Sequence, residues 1–171
     1  MRRWLSALWV RNLIGAVVAV AALAVIVATT LGDQWETYRS TVDPEVVVPK
    51  GRSGTADGYT WTVESIKHLN RNPLRFGPAL PEGSVLMVVT LDRSGPPREN
   101  PETCTGVITD GKQRWASERV GGVAPMPPAG VVIRCEKPGL QQFSFVLPQQ
   151  TVPTALDVMT SQGRLLVRML L

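Results

Sequence analysis

The sequence predicts an all-β domain, a sandwich or Greek-key barrel of seven or eight strands, preceded by one N-terminal transmembrane helix. Three observations lead there. Leu13 to Leu31 is a run of 19 residues without a charge. From Tyr59 onward, short β-prone runs alternate with turn residues, the spacing of a two-sheet or barrel fold. Both cysteines, Cys104 and Cys135, fall in that second part.

The apolar run comes first. At about 1.5 Å rise per residue it spans roughly 28 Å, close to the hydrocarbon thickness of a bilayer. A soluble core helix of this length carries a polar stripe, and LIGAVVAVAALAVIVATTL has none. Arg2, Arg3 and Arg11 precede it, and all 14 acidic residues follow it. The basic flank stays in the cytoplasm, so residues 1–12 read as a cytoplasmic tail and everything after Gly32 as extracytoplasmic. Trp4 and Trp9 on one side, and Trp35 and Tyr38 on the other, are expected at headgroup level. A cleaved signal peptide needs a shorter apolar region followed by a small-x-small cleavage site. Here the Ala-x-Ala triplets lie inside the apolar run, with Val25, Ile26 and Val27 still to come. The expectation is an uncleaved anchor. With no cysteine nearby, lipid modification is excluded. Gly15-x-x-x-Ala19 is a small-xxx-small pair that either supports helix pairing or arises by chance in an Ala-rich span.

Net charge excludes a nucleic-acid role. The chain is +4, but beyond the helix fifteen basic residues face fourteen acidic ones, without a basic stripe interleaved with aromatics. Residues 32–58 read as a stalk, because Pro44, Pro49 and the Gly/Ser content of Gly51–Gly58 stop a helix. Glu45–Val48 is an optional edge strand, limited by Pro49.

The β domain is expected over residues 59–171. Tyr59–Ile66 alternates as a half-buried strand, and Val85–Leu91 is nearly continuously apolar, as a central strand is. Cys104–Thr109 and Lys112–Ser117 flank Asp110-Gly111, which predicts a two-residue type I′ hairpin. Val131–Cys135 and Leu140–Leu147 follow, the latter with Gln141, Phe143, Phe145 and Leu147 on one face. Ala155–Met159 and Arg164–Leu171 meet at the Ser161-Gln162-Gly163 turn. Two cysteines in an oxidising compartment predict a Cys104–Cys135 disulfide, which would clip a hairpin or loop to its neighbour. The alternatives are two buried thiols or a redox pair, the latter at odds with a spacing far from C-x-x-C.

Several motifs here, namely Gly58-x-x-Trp61-x-Val63, Pro81-Glu82-Gly83 before Val85–Leu91, Asp110-Gly111 before Arg114-Trp115, and Phe143-x-Phe145-Val146-Leu147-Pro148, together resemble a group. That group is the bacterial extracytoplasmic immunoglobulin-like domains of unknown function common in actinobacterial membrane proteins. The resemblance covers about two-thirds of the chain. It implies an immunoglobulin-like β-sandwich and carries no catalytic residues. Trp115 follows the first cysteine by 11 residues, as an immunoglobulin domain would have it, but the other hallmarks are missing: the second cysteine comes too soon, and Ile133 stands where a tyrosine corner would place Tyr.

Chemistry is sparse. His68 is the only histidine, and no serine sits in a G-x-S-x-G frame, so an acyl-transfer triad has no members. Zinc, calcium and nucleotide motifs are lacking, so no metal or cofactor is expected. Trp61 and Trp115 read either as packing residues or as a stacking platform. The loops Asn70–Glu82, Ser94–Thr103 and Arg119–Gly130 are the candidate binding surfaces. Arg71, Leu74, Arg75 and Phe76 concentrate the arginine and apolar character of interface hot spots. The same side chains would equally serve to cover one end of the sandwich. The function expected is a non-catalytic, membrane-held module that binds a protein partner in the envelope. The alternatives are a structural subunit acting through its helix, or an envelope hydrolase.

Overall fold

The computed structural model describes residues 2–70, 78–99, 102–120 and 122–171. It comprises two compact units, 1–39 and 40–171.

The first unit is helical. Helix α1, Arg2–Ile26, passes through a π-helical turn, Val27–Leu31, into α2, Gly32–Val42. The π turn falls at Thr29-Thr30, where the Thr29 hydroxyl donates back to the Val25 carbonyl at 2.8 Å and loosens the regular ladder. Helix α2 ends two residues before Pro44, whose ring disfavours helical conformation in the residue ahead of it. The helix therefore runs to Val42, into the segment expected to be stalk. Within Trp9–Val42 it is long and apolar enough to cross a membrane, and none of its apolar window is buried inside the chain. The Trp35 and Tyr38 rings lie 5.7 Å apart beyond the apolar run.

The second unit is built of strands. Among the described residues there are nine: β1 Val46–Val48, β2 Ser53–Ala56, β3 Tyr59–Leu69, β4 Ser84–Ser94, β5 Cys104–Thr109, β6 Arg114–Ala116, β7 Gly139–Pro148, β8 Ala155–Thr160 and β9 Leu165–Leu170. They form two sheets, ordered β1-β9-β8-β5-β6 and β2-β3-β4-β7. All pairs are antiparallel except β1 with β9, which runs parallel with Val46 opposite Val167. The chain changes sheet at β1–β2, β4–β5, β6–β7 and β7–β8. One core draws on both sheets: Trp61, Val89 and Leu91 from β3 and β4, Phe143 and Phe145 from β7, and Ile108, Leu156, Val158 and Val167 from β5, β8 and β9.

Strand β2 was not expected. Ser-Gly-Thr-Ala reads as a turn, yet it pairs with β3 and buries Ala56. Gly54 explains why the strand fits: a Cβ there would collide with the Val48 side chain of β1, so only glycine lets the two strands pass. Gly106 plays a similar part within the core. A Cβ on it would lie 2.9 Å from the Phe143 ring and 3.0 Å from that of Phe145. Gly106→Ala should therefore cost about 1–3 kcal/mol through overpacking, measurable by denaturant titration. A neutral substitution would mean that the two phenylalanines move aside freely.

Two local expectations are corrected. Asp110-Gly111 is not a two-residue hairpin. Thr109 pairs with Arg114, leaving a four-residue loop. Asp110 lacks the positive φ a type I′ turn demands, and Gly111 alone has it. The Asp110 carboxylate accepts instead from the Lys112 and Gln113 amides at 2.8 and 2.7 Å. Those bonds, the Gln113 one foremost, hold its pKa below the ordinary carboxylate value. A lowered folded-state pKa contributes stability above the unfolded pKa, lost as pH falls through the folded value. In a carbon-detected NMR titration, Asp110 should protonate at a lower pH than the aspartate of an unstructured reference peptide. A midpoint at or above that of the peptide would show that the turn does not form in solution.

Val131–Cys135 is not a strand either. Only an isolated bridge joins Val132 to Gln141. Cys135 has φ +55°, which breaks extended geometry, and side chains hold the segment in place of a ladder. The connection nonetheless covers an edge. Glu118 N donates to Ser144 O at 2.7 Å, Gln142 N to Val132 O at 2.7 Å, and Val132 N to Leu140 O at 2.9 Å. The outer strand β7 is thus paired along part of its free side.

Candidate functional site

Cys104, at the start of β5, is bonded to Cys135 in the β6–β7 connection, with Cα atoms 5.4 Å apart. Both cysteines are buried. The bridge clips a loop to a strand end and does not cross the centre of the core. Around Cys135 the polar bonds are side-chain bonds. Its N–H donates to Gln141 Oε1 at 3.0 Å, and its carbonyl accepts from Arg93 Nη1 at 2.6 Å. Gln141 Nε2 in turn donates to the Lys137 carbonyl at 2.8 Å.

Arg93 sits at the end of β4 and is 3% exposed. Its guanidinium lies 3.5 Å above the Tyr59 ring centroid and 5.3 Å from that of Trp61. Stacking on two ring faces and donating to a carbonyl offset part of the cost of burying the charge. Burial pushes its pKa down, and nearby Tyr59 and Asp57 oppose that shift. An arginine starts so high that the side chain stays charged at neutral pH. Arg93 Nε and the Tyr59 hydroxyl are buried with no hydrogen-bond partner among the described residues.

Next to this lies an ionic cluster. Arg98 donates to the Asp57 carboxylate at 2.8 Å and also to the Asp57 carbonyl. Arg164 stands 3.6–3.8 Å from Glu45, Asp57 and Glu102. The cluster ties the residue before β1, the β2–β3 turn, the β4–β5 loop and the β8–β9 turn together. Apart from Asp57 its members are half-exposed, so each ion pair adds little stability, but together they fix four segments at one end of the domain.

On the other side of the disulfide a cleft of about 440 Å³ opens. Thr103, Cys104 and Thr105 form one wall, and Gln142, Phe143 and Ser144 of β7 form another. Ser117, Glu118 and Arg119 come from the segment after β6, Ile133 and Arg134 from the residues before Cys135, and Ser161 from the β8–β9 turn. Thr105 and Ser117 share a hydroxyl–hydroxyl bond of 3.1 Å. Arg119 and Arg134 are exposed, and neither guanidinium has a hydrogen-bond or ion-pair partner among the described residues.

Arg71, Leu74, Arg75 and Phe76, proposed from sequence as a binding surface, lie outside the described residues. The two other candidate loops flank the disulfide: Arg98, Glu102 and Thr103 come from one, Arg119, Ala124 and Pro125 from the other. Trp61 is fully buried and donates its indole N–H to the Ala56 carbonyl at 3.2 Å, so it packs and offers no platform. Trp115 packs partly buried against the core. His68 is exposed on β3, opposite Met87. Among the described residues, no three His, Cys, Asp or Glu side chains converge as a metal site.

Sequence reasoning missed Arg93 and Asp157. Each was visible as a charge on an apolar strand, and neither residue could be paired without the fold. Asp157, on β8, has no exposure. It accepts from Arg168 Nε at 2.7 Å and Nη2 at 2.8 Å, and from Arg114 Nη2 at 3.0 Å. Comparison of the chain with family models, curated proteins and solved structures finds no match.

Proposed function

We propose that the chain is a single-pass, membrane-anchored module, with a cytoplasmic N-terminus and a β unit outside the cytoplasm. In this reading it acts by binding an envelope or membrane-complex partner and performs no catalysis. The observation that carries the reading is the pairing of a helix with no buried face and a β unit locked by a buried disulfide. An unburied apolar helix needs lipid around it, and a structural disulfide persists where the compartment is oxidising. The arginines before the helix orient it, and the length of the apolar run favours an anchor over a cleaved signal. The buried polar groups support a structural role: Asp157, Arg93 and Gln141 are engaged with protein groups that hold strands and loops.

We also assign the two sheets to an immunoglobulin-like sandwich of the bacterial extracytoplasmic kind. The parallel entry strand β1 beside β9, the antiparallel β9-β8-β5-β6 sheet and the β4–β7 pair in the opposing sheet support that assignment.

Topology is tested by fractionating a C-terminally tagged chain and labelling its exposed lysines in intact cells. Full-length protein in the membrane fraction, labelled beyond the helix, is expected. A released product starting near residue 25 overturns the anchor. Partners are then sought by crosslinking the native membrane protein and identifying adducts by mass spectrometry. Exchanging residues 13–31 for an unrelated membrane span should leave those crosslinks in place. Their loss would move the contact from the β unit to the helix. His68→Ala should leave function unchanged.

A further inference from the structure

We propose that the cleft beside the Cys104–Cys135 bridge binds a phosphate ester on a hydroxyl-bearing body, held by Arg119 and Arg134. The proposal rests on the reading of the β unit as a binding module and names one ligand for it.

The arginines are the first ground. At this end of the domain Arg93, Arg98 and Arg164 are each committed to a carbonyl, carboxylate or ring. Arg119 and Arg134 alone of this group line the cleft and lack a partner among the described residues. They come from two chain segments and so can approach one anion from different directions. A guanidinium fork matches phosphate oxygens, and the four donors of two forks spread over the three terminal oxygens of a phosphate ester with less crowding than over the two of a carboxylate.

The second ground is the rest of the lining. Ser144 and Ser161 add hydroxyls that both donate and accept, as the hydroxyls of a ligand do. Glu118 is the one carboxylate on the wall, leaving a net charge of +1. It suits a ligand hydroxyl and disfavours a ligand that carries a second phosphate beside the first.

Rigidity is the third. Arg134 immediately precedes Cys135, and its carbonyl accepts from Cys104 N at 3.2 Å. On the other side, the Glu118 amide is bonded to Ser144 O at 2.7 Å. Both arginine-bearing segments are thus tied to strands by backbone bonds, which lowers the ordering cost of binding. A volume of about 440 Å³ admits a small molecule or a lipid headgroup.

The same chemistry is met in a soluble sugar or polyol phosphate and in the headgroup of an anionic phospholipid. The test uses the full chain in nanodiscs of phosphatidylcholine, titrated with inositol monophosphate by calorimetry. Saturable one-site binding is expected, weakened at least about tenfold in Arg119→Gln/Arg134→Gln and unchanged in Lys50→Gln, a surface cation outside the cleft. Both arginines are exposed, so the double variant should melt at the parent temperature, which separates lost binding from lost fold. The titration is repeated in nanodiscs containing phosphatidylinositol. Loss of soluble-probe binding there assigns the cleft to the lipid headgroup, and retained binding assigns it to the free ester. No binding in the first nanodiscs, or equal weakening in Lys50→Gln, overturns the proposal. If protein crosslinks in cells persist while the cleft stays silent to the probe, the ligand falls and the binding module stands.

Discussion

Replacing Cys104 and Cys135 together by serine should lower the stability of the β unit by about 2–5 kcal/mol. The bridge closes a loop with a sequence separation of 31 residues, worth roughly 3.5–4 kcal/mol by loss of unfolded-state entropy. Native-state effects act in the same direction. Cys135 itself is held by side-chain bonds, its N–H donating to Gln141 and its carbonyl accepting from Arg93, and by no strand ladder. Without the covalent tie these bonds, and a few backbone bonds to β5 and β7, must keep ordered a segment that forms no strand of its own among the described residues between Ser117 and Lys137. Denaturant unfolding of the full chain in detergent, oxidised against reduced and parent against double serine, gives the number. The loss should come with broadened resonances for residues 118–134. A difference below about 1 kcal/mol, or a loop equally ordered without the bond, would sink this account.

Arg168→Met should cost about 2–4 kcal/mol, the lower part of what breaking a buried ion pair costs, because Arg168 itself is partly exposed. Asp157 has no access to water, and after the substitution it keeps only Arg114 at 3.0 Å. The hydrogen bond to Asp157 is also the main reason the Arg168 pKa is raised, so the arginine stays charged at every practical pH. The reverse change, Asp157→Leu, should cost less. It buries an apolar side chain and leaves two arginines that reach solvent, at 31% and 45% side-chain exposure. The double variant Arg168→Met/Asp157→Leu should recover much of the loss. The informative quantity is therefore an asymmetry across a double-mutant cycle. Equal costs for the two single changes would mean that water reaches Asp157 after all.

Much of this architecture was legible before the fold was known. Period-two alternation placed β3, β7 and β9 to within a few residues, a continuous apolar run placed β4, and flanking turn residues bounded β5 and β8. The alternation also put Gln141 on the face of Phe143 and Phe145, where it is buried. What failed was local. Strand β2 has the composition of a turn, and only its packing under Val48 makes it a strand. Val131–Cys135 has the composition of a strand, and the bridge and a left-handed Cys135 pull it out of one. The cleft was illegible for a different reason. Its lining comes from six separated stretches, from Thr103 to Ser161, and no periodicity links them. Only the loops that contribute Thr103 and Arg119 could be marked in advance, as proline- and glycine-rich segments on a β scaffold.

The parallel pairing of β1 with β9 has a consequence for biogenesis. Val46–Val48 is made early, directly behind the apolar N-terminal helix, while its partner Val167–Met169 is made about 120 residues later. At about 5–20 residues per second, β1 waits roughly 6–24 s for the strand it belongs to. Three consecutive valines with free backbone groups are a template for pairing with a neighbouring nascent chain. Pro44 and Pro49 bracket them, and neither can donate a backbone hydrogen bond, so the vulnerable edge is held to a few residues. The helix-stopping prolines therefore also act as guards during synthesis, keeping β1 short enough to survive the wait for its place in the sheet.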